Sequence, residues 1–388
     1  MSPLREKLIA LAMRTFGKKR GQSWAMIVLD HKIPSPDRDA GSRSTLHYIR
    51  MFLEMGLKVK FIAGDFQFPQ PYTEQLAKLG VEVLGSNSNQ ESIQRWLVEH
   101  ESEIGFVFSN RPHVTNEYLE TFRKMPRTKI LYYGHDVAYV RYQRAFSLCG
   151  RAEDAASAAH WEQVETAIWQ QVDVVYYPSE EETALVLSRA PAVAAQTLPL
   201  YHLVPKDTDD TANFIHRRHL IFVGGFEHHP NQDAVLWFVE NCWPLIAQSL
   251  PGVCIYIVGG SPNAEIKMQN SSRVIVTGWV DEITLSDLYQ NSRLAVAPLR
   301  YGAGVKGKVV EALHHGVPIV MTSIGAEGLS GIEAFAIVAD RPKDFADAVI
   351  SLYHDVPSLE RMAKEGQAYV NKHFSRSNAL RILRRDVQ

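Results

Sequence analysis

Lys306, Lys308 and Glu311 lie in the stretch YGAGVKGKVVEALHHGVPIVMTSIGAEGL, Tyr301 to Leu329, and their types and spacing set a chemical expectation. Gly302 and Gly304 lead into a short helix that ends near Gly316; Pro318 opens an apolar strand, Ile319 to Met321, and a second glycine loop runs from Gly325 to Gly328. A helix N-terminus has N–H groups without intrahelical partners and a partial positive charge, so acidic residues are the favoured occupants of its first turn. Two lysines there fit an anion held in front of the helix. The Gly302–Ala303–Gly304–Val305 loop lets backbone amides approach that anion. At 100° per residue, Val309, Val310, Ala312 and Leu313 share one arc, which leaves Lys308 and Glu311 to be presented together. Lysine suits a phosphate, and a carboxylate accepts two hydrogen bonds from a vicinal diol such as that of a ribose. The stretch predicts a nucleoside-diphosphate cradle. The alternative is a solvated i,i+3 ion pair on an ordinary surface helix.

The elements around it read as repeated strand–helix alternation. Strands are expected at Trp24–Asp30, Val59–Ala63, Val81–Leu84, Gly105–Phe108, Lys129–Tyr133 and Val172–Tyr177, with helices between them and an irregular stretch before a long helix at Ala155–Gln171. Pro191 to Asn213 breaks the pattern. It restarts with strands at His219–Val223, Val253–Val258, Val274–Thr277, Leu294–Pro298, Ile319–Met321 and Ile337–Ala339, and a single helix at Pro230–Leu250. This predicts an α/β chain of two Rossmann-like, doubly wound domains facing across a cleft, since such sheets bind ligands outside their strand C-termini. The expected segments are a basic helix or linker over 1–20, an acceptor-binding domain over 21–200, a donor-binding domain over 201–372, and a tail over 373–388 that returns to the first domain. Neither half has GxGxxG after its first strand, which sets the chain apart from dinucleotide-dependent dehydrogenases.

With 388 residues, 46% hydrophobic and 22% charged, the composition is that of a globular enzyme. A formal net charge of -2 argues against nucleic acid as a partner. Cys149, Cys242 and Cys254 are widely spaced and odd in number, which fits a reducing cytoplasm and gives no zinc pattern. No apolar run reaches membrane-spanning length, and no stretch reads as a signal peptide. Residues 3–20 place Leu4, Leu8 and Leu11 on one stripe among basic residues: an amphipathic helix for peripheral contact with an anionic leaflet, or a helix docked on its own protein.

GAGVKGKVVEALHHGVPIVMTSIGAEGL resembles the donor-site signature of retaining GT-B glycosyltransferases of family 4, and FVGGFEHHPNQDAV and VTGWVDEITLSDLYQNSRLAVAP resemble two further segments of that family's second domain. LDHKIPSPDRDAGSRS and YYGHD resemble a bacterial subset of these transferases. The resemblance implies transfer of a sugar from a nucleotide-sugar donor to a glycan or lipid-linked glycan acceptor, in surface polysaccharide assembly, with no cofactor and no metal. It implies that Lys306 and Lys308 hold the diphosphate with amides of the Gly302–Gly304 loop, that Glu311 binds the ribose, and that Trp279 and Val280 lie beside the base. Gly225 belongs to the strand–glycine–helix opening of the donor domain, Gly41 would bring backbone to the phosphates from the other domain, and His135, oriented by Asp136, would sit next to the transferred sugar. The family's commoner signature has a second glutamate eight residues before the ribose glutamate; Ala303 stands there, so that carboxylate contact to the sugar is either missing or replaced by loop amides or Glu327, and the departure bears on which sugar is moved.

Other signals carry two readings each. Asp37-Arg38-Asp39 looks like a metal-binding DxD, but its proline-flanked loop fits acceptor binding or helix capping better. Arg43 reaches either an anionic group or Asp39. Adjacent histidines on a helix splay by about 100°, so His314 and His315 are poor joint metal ligands and suit the helix end before Gly316. Tyr132, Tyr133, Tyr139 and Tyr142 divide between a sugar-stacking surface and the core. Two rival functions share the plan: a sugar-nucleotide epimerase, and a degenerate transferase domain serving as scaffold or glycan-binding module.

Overall fold

A computed structural model describes residues 24–86, 88–201, 203–206 and 214–387. The basic N-terminal helix expected over 3–20 lies outside the described residues. Among those described, no helix is long and apolar enough to cross a membrane.

The first seven strands form one parallel sheet: β1 (Ala25–Asp30), β2 (Lys58–Ala63), β3 (Glu82–Leu84), β4 (Ile104–Asn110), β5 (Lys129–Tyr133), β6 (Val174–Tyr177) and β7 (Ala195–Thr197), in the order β3-β2-β1-β4-β5-β6-β7. All six residues of β1 are buried, as a strand covered on both faces requires. Helices α1 (Ala40–Glu54), α2 (Tyr72–Lys78), α3 (Gln90–Glu99), α4 (Pro112–Arg123), α5 (Ala138–Cys149), α6 (Ala152–Gln171) and α7 (Glu180–Arg189) cover it. The stretch expected to be irregular after β5 is α5, and β7 adds an unforeseen edge strand.

The second sheet is β8 (His219–Val223), β9 (Ile255–Val258), β10 (Val274–Gly278), β11 (Ser292–Ala297), β12 (Ile319–Met321) and β13 (Ile337–Val338), ordered β10-β9-β8-β11-β12-β13. Its helices are α8 (His229–Asn241), α9 (Trp243–Ser249), α10 (Ala264–Met268), α11 (Glu282–Asn291), α12 (Gly307–His314), α13 (Ser323–Ala326), α14 (Pro342–His354) and α15 (Val356–His373). The single helix expected over 230–250 is two, α8 and α9, parted at Cys242, whose N–H closes α8 on Phe238 before Pro244 opens the first turn of α9. In each sheet the strand order reverses beside the first strand, at β1/β4 and β8/β11, and such switch points open the crevice where ligands bind.

The two units are tied where the chain crosses between them. Leu203 forms a bridge with Ser375 and its N–H donates to Phe374 O at 2.9 Å, while Asn371 exchanges hydrogen bonds with the Lys206 backbone. The last helix, α16 (Arg376–Val387), then packs Ala379, Leu380, Leu383 and Val387 into the core of the first sheet beside Tyr176 and Leu198. Its Asp386 carboxylate accepts from Gln196 at 2.9 Å and its carbonyl from Lys129 at 2.7 Å.

Candidate functional site

On the second-domain wall, the loop after β11 leads into α12. The buried arc of Val309, Val310, Ala312 and Leu313 fixes how that helix lies. Lys306 is the N-cap residue and only 8% exposed; its ammonium donates to Gly304 O and lies 3.2 Å from Glu327 Oε2. Burial pulls its pKa down against the pull of Glu327 and Glu182. Lys308, inside the first turn, donates to Asn231 Oδ1 at 2.7 Å and sits 5.4 Å over the Phe222 ring. Burial and the charge of Lys306 push its pKa down to about 7, while Glu311 opposes them. Asn231 is held in turn by donating to Gly225 O at 2.7 Å. A Cβ at Gly225 would meet nothing within 4 Å, so the backbone there faces open space.

The first-domain wall is built at the ends of β1, β4 and β5. Asp30 is 2% exposed and its carboxylate takes four contacts, from His31 N, His31 Nδ1, Arg111 Nε and Thr45 Oγ1, at 2.7, 3.0, 2.9 and 2.6 Å. Burial alone would raise its pKa, but the Arg111 charge and the His31 hydrogen bond hold it well below the usual carboxylate range. His135 adopts a left-handed backbone with φ of 63° and its Nε2 lies 3.1 Å from Asn110 Oδ1. Asn110 Nδ2 donates to Leu29 O, which turns the amide oxygen toward the imidazole. Nε2 therefore carries the proton and Nδ1 is the free acceptor. Burial and the nearby Arg111 charge push the His135 pKa down to about 3, so the ring is neutral at physiological pH. Asp136 was expected to orient it and does not: its carboxylate is paired with Arg141, and Asn110 does the orienting.

Two buried carboxyls support this wall. Glu165 accepts from the N–H groups of Ala138 and Tyr139, both at 3.0 Å, and Glu182 from that of Val137 at 3.3 Å, so side chains from α6 and α7 cap the start of α5. Burial raises Glu165 to about 7 and Glu182 to about 8. Gly304 is at φ of 67°, and a Cβ there would stand 2.7 Å from Glu182 Oε1 and 3.2 Å from Asp136 Cβ. The loop that carries the lysines thus lies directly against these first-domain carboxyls.

Across the cleft, side chains of the two walls meet. Arg43 Nη1 is 2.6 Å from Glu311 Oε1 rather than paired with Asp39. Asp39 instead caps α1 through Ser42 N at 2.7 Å and pairs with Lys32 at 2.9 Å. Arg144 donates at 2.7 Å to both Gly302 O and Glu327 Oε2. Trp279 is 51% exposed and its Nε1 donates to Asp37 O at 3.0 Å. An open pocket of about 370 Å³ lies beside this contact set, lined by Arg144, Glu181, Glu327 and Gly328 among others.

Several expectations need correction. Glu311 and Lys308 are not presented as a pair: Glu311 is engaged by Arg43 and Lys308 by Asn231. Val280 turns onto the second-domain core rather than standing free with Trp279, and Val305 is 7% exposed within the same apolar cluster. Tyr132, Tyr133 and Tyr139 are core residues, while Tyr142 is half-buried with the Arg141 guanidinium 5.4 Å over its ring. His315 is the C-cap of α12 and stacks on Tyr289, with ring centroids 4.6 Å apart. Gly41 lies in the first turn of α1, where a Cβ would overlap the guanidinium of Arg111. Ala303 is partly exposed. Asn110, Arg111, Arg144, Glu182 and Asn231 were not anticipated. Among the described residues no group of three or more His, Cys, Asp or Glu is disposed to hold a metal ion.

Residues 217–355 match the family model described as Glycosyl transferases group 1. A curated relative, an uncharacterized 44.6 kDa protein in the cps region of Klebsiella pneumoniae, is 23% identical over 186 residues, 46% of this chain and 47% of that one. The match thus spans about half the length of that relative. Sucrose-phosphate synthase from Thermosynechococcus elongatus is similar in structure over 93% of this chain and 98% of that one, with 18% identity and a TM-score of 0.66. Anabaena HepE, solved with UDP and glucose, is similar over 94% and 99%, with 14% identity and a TM-score of 0.69. With two parallel sheets facing across a cleft and these neighbours covering nearly the whole chain, the fold is GT-B.

Proposed function

We propose that the protein is a glycosyltransferase that moves a sugar from a nucleoside-diphosphate donor to a glycan or lipid-linked glycan, with retention of anomeric configuration, in surface polysaccharide assembly. The observation that carries this reading is the start of α12. Lys306 and Lys308 lie there without an acidic residue in the first turn, next to a glycine loop whose Gly304 packs against Asp136, the sequence neighbour of His135. Such a cluster in a partly dry crevice is built to stabilise a polyanion. The group 1 match over 217–355 covers this stretch, and the Klebsiella relative comes from a cps region.

In this reading the chemistry is departure of the nucleoside diphosphate. Lys306 and Lys308 meet the negative charge that develops on the leaving phosphate, and the α12 N-terminus adds its dipole. Glu311 exchanges Arg43 for the ribose diol. His135, neutral and held by Asn110, offers Nδ1 as an acceptor to a sugar hydroxyl; it positions the sugar and is too weak a base to deprotonate the acceptor alone. The leaving phosphate accepts the acceptor proton, and no cofactor or metal takes part. Calorimetry with a panel of nucleotide sugars, followed by a nucleotide-release assay with and without glycan, tests it. Donor binding with glycan-dependent release is expected. Release or epimerisation without acceptor would replace this reading with an epimerase, and absence of binding to any nucleotide sugar with a scaffold.

A further inference from the structure

Arg111 has so far appeared only as the partner of Asp30 and a charge beside His135, yet it is among the most firmly placed side chains in the first domain. It follows β4 at φ of 66°, a left-handed conformation that an L residue rarely adopts. Its N–H donates to Tyr133 O and its carbonyl accepts from Thr115 N, both at 3.0 Å. Its Nε is held at 2.9 Å by Asp30, itself 2% exposed and saturated by His31 and Thr45. Strain of this kind persists only where the surroundings over-determine it, and it gathers at binding sites. His135, one strand over, has the same left-handed backbone.

What this scaffold holds out is uncommitted. The terminal amino groups of Arg111 have no hydrogen-bond partner within the described residues, and 22% of the side chain is exposed. The nearby carboxylates are engaged elsewhere: Asp39 by Lys32 and Ser42, Asp136 by Arg141. Gly41 leaves the space that the guanidinium fills. His31 and His113 stand close by with rings edge to face at 6.0 Å, and the Arg111 charge together with burial pushes His113 down to about 4. A guanidinium fixed at Nε with both terminal amino groups free is the fork that binds a planar carboxylate or a phosphate through two hydrogen bonds.

We infer that Arg111 is the centre of an anion subsite on the first-domain wall, taking one carboxylate or phosphate group of a substrate through both terminal amino groups. The imidazoles of His113 and His135, which burial and the Arg111 charge keep neutral, add hydrogen-bonding capacity beside it. The anion is either a phosphate of the donor or an acidic group of the acceptor, and assigning it to a substrate rests on the glycosyl-transfer reading; the existence of the subsite does not.

The test uses the full chain and three probes: inorganic pyrophosphate, glucuronate, and glucose as the neutral control. Arg111→Lys keeps a cation beside Asp30, so the fold is expected to survive, while the two-pronged donor is lost. Gly41→Ala keeps Arg111 and places a methyl group against its guanidinium, at a helical position that tolerates alanine. Both variants are expected to bind one of the two anions at least tenfold more weakly at unchanged melting temperature, with glucose binding unmoved. Loss of pyrophosphate assigns the subsite to the donor, and loss of glucuronate to an acidic acceptor. Unchanged binding of both anions in Gly41→Ala, whether or not Arg111→Lys folds, overturns the proposal, as does lack of binding of either anion by the wild type. Failure of the wild type to bind any nucleotide sugar would remove the glycosyl-transfer reading and leave the anion result standing.

Discussion

Lys308 is the cation whose protonation the donor should change. Its pKa stands at about 7 because burial and Lys306 disfavour the charge, and its hydrogen-bond partner is the neutral amide of Asn231. A diphosphate placed at the α12 N-terminus favours the ammonium and returns the pKa toward the ordinary lysine range of about 10.4. At pH 8 a group with a pKa of about 7 is about one-tenth protonated, so binding takes up about 0.9 proton. Affinity then falls about tenfold, or about 1.4 kcal/mol, for each pH unit above 7 until the bound-state pKa is reached. Below pH 7 the dependence flattens, because free and bound enzyme are both protonated. The assay is calorimetry with whichever of UDP, GDP, ADP or dTDP binds, at pH 6 and pH 8, in two buffers of different ionisation enthalpy. The terminal phosphate is already ionised at pH 8, its pKa being about 6, so it contributes little to the uptake. Lys308→Met should bind more weakly at pH 6 and lose the proton uptake. Uptake near zero at pH 8 in the wild type, with no slope between pH 7 and 9, would refute the placement of the diphosphate on Lys308.

Three further outcomes follow from other contacts. Arg43→Met frees Glu311 from its cross-cleft partner, so donor affinity should tighten by about three- to tenfold, the worth of a partly buried ion pair that no longer has to be broken, whereas Glu311→Gln should weaken it; weaker donor binding in Arg43→Met would make Arg43 a donor contact instead. Glu165 and Glu182 hold protons in the folded state, with pKa values of about 7 and about 8, that the unfolded chain gives up near pH 4.5. Their contribution to stability is therefore full below about pH 4.5 and is lost as pH rises to about 8. Urea midpoints across that range should flatten in Glu165→Gln up to about pH 7, with Lys308 acting in the opposite sense only above it. Deleting residues 376–388 strips Leu380, Leu383 and Val387 from the first-domain core, at about 1.5–3 kcal/mol each, and should lower that domain's melting temperature or abolish its folding; a melt unchanged by the deletion would contradict the packing of α16.

The layer plan was legible because parallel strands announce themselves. The run AMIVLD of β1 is apolar except at its end, and the end residue, Asp30, marks where the strand meets the crevice. The loop that runs into α12 was legible for a similar reason: closely spaced glycines and lysines before an apolar arc mark a turn into a helix. Helix α5 was not legible. Only Ala138, Tyr139 and Ala145 are buried along it, so no apolar stripe marks it. Its first amides are capped by Glu165 and Glu182, which lie 27 and 45 residues away from the groups they accept from. The partners of the expected site residues were hidden likewise. Nothing local ties Arg43 to Glu311 across a separation of 268 residues, or Lys308 to Asn231 across 77. A local reading paired Arg43 with Asp39 and His135 with Asp136, the nearest complementary groups in sequence, and folding gave each of them a partner from another element.

Those exchanges also explain the charge balance of the cleft. Asp30 has Arg111, Asp39 has Lys32, Asp136 has Arg141, Glu311 has Arg43, and Glu327 has both Arg144 and Lys306. Glu182, pushed up to about 8, is largely neutral at pH 7 and needs no cation. Within that set Lys308 is the lysine whose nitrogen rests on an amide oxygen rather than a carboxylate, and Arg111 is the guanidinium with both terminal amino groups unused. A partly buried cleft in which these carboxylates are matched has little net charge to offer a ligand in the long range. It is instead poised at two points: a lysine about half protonated at pH 7, and an arginine whose terminal amino groups have no partner among the described residues. An arriving polyanion can reach Lys308 without first stripping it from a carboxylate, whereas any ligand of Glu311 must displace Arg43. Binding through the phosphates should therefore persist in Arg43→Met and Glu311→Gln, and weaken in Lys308→Met.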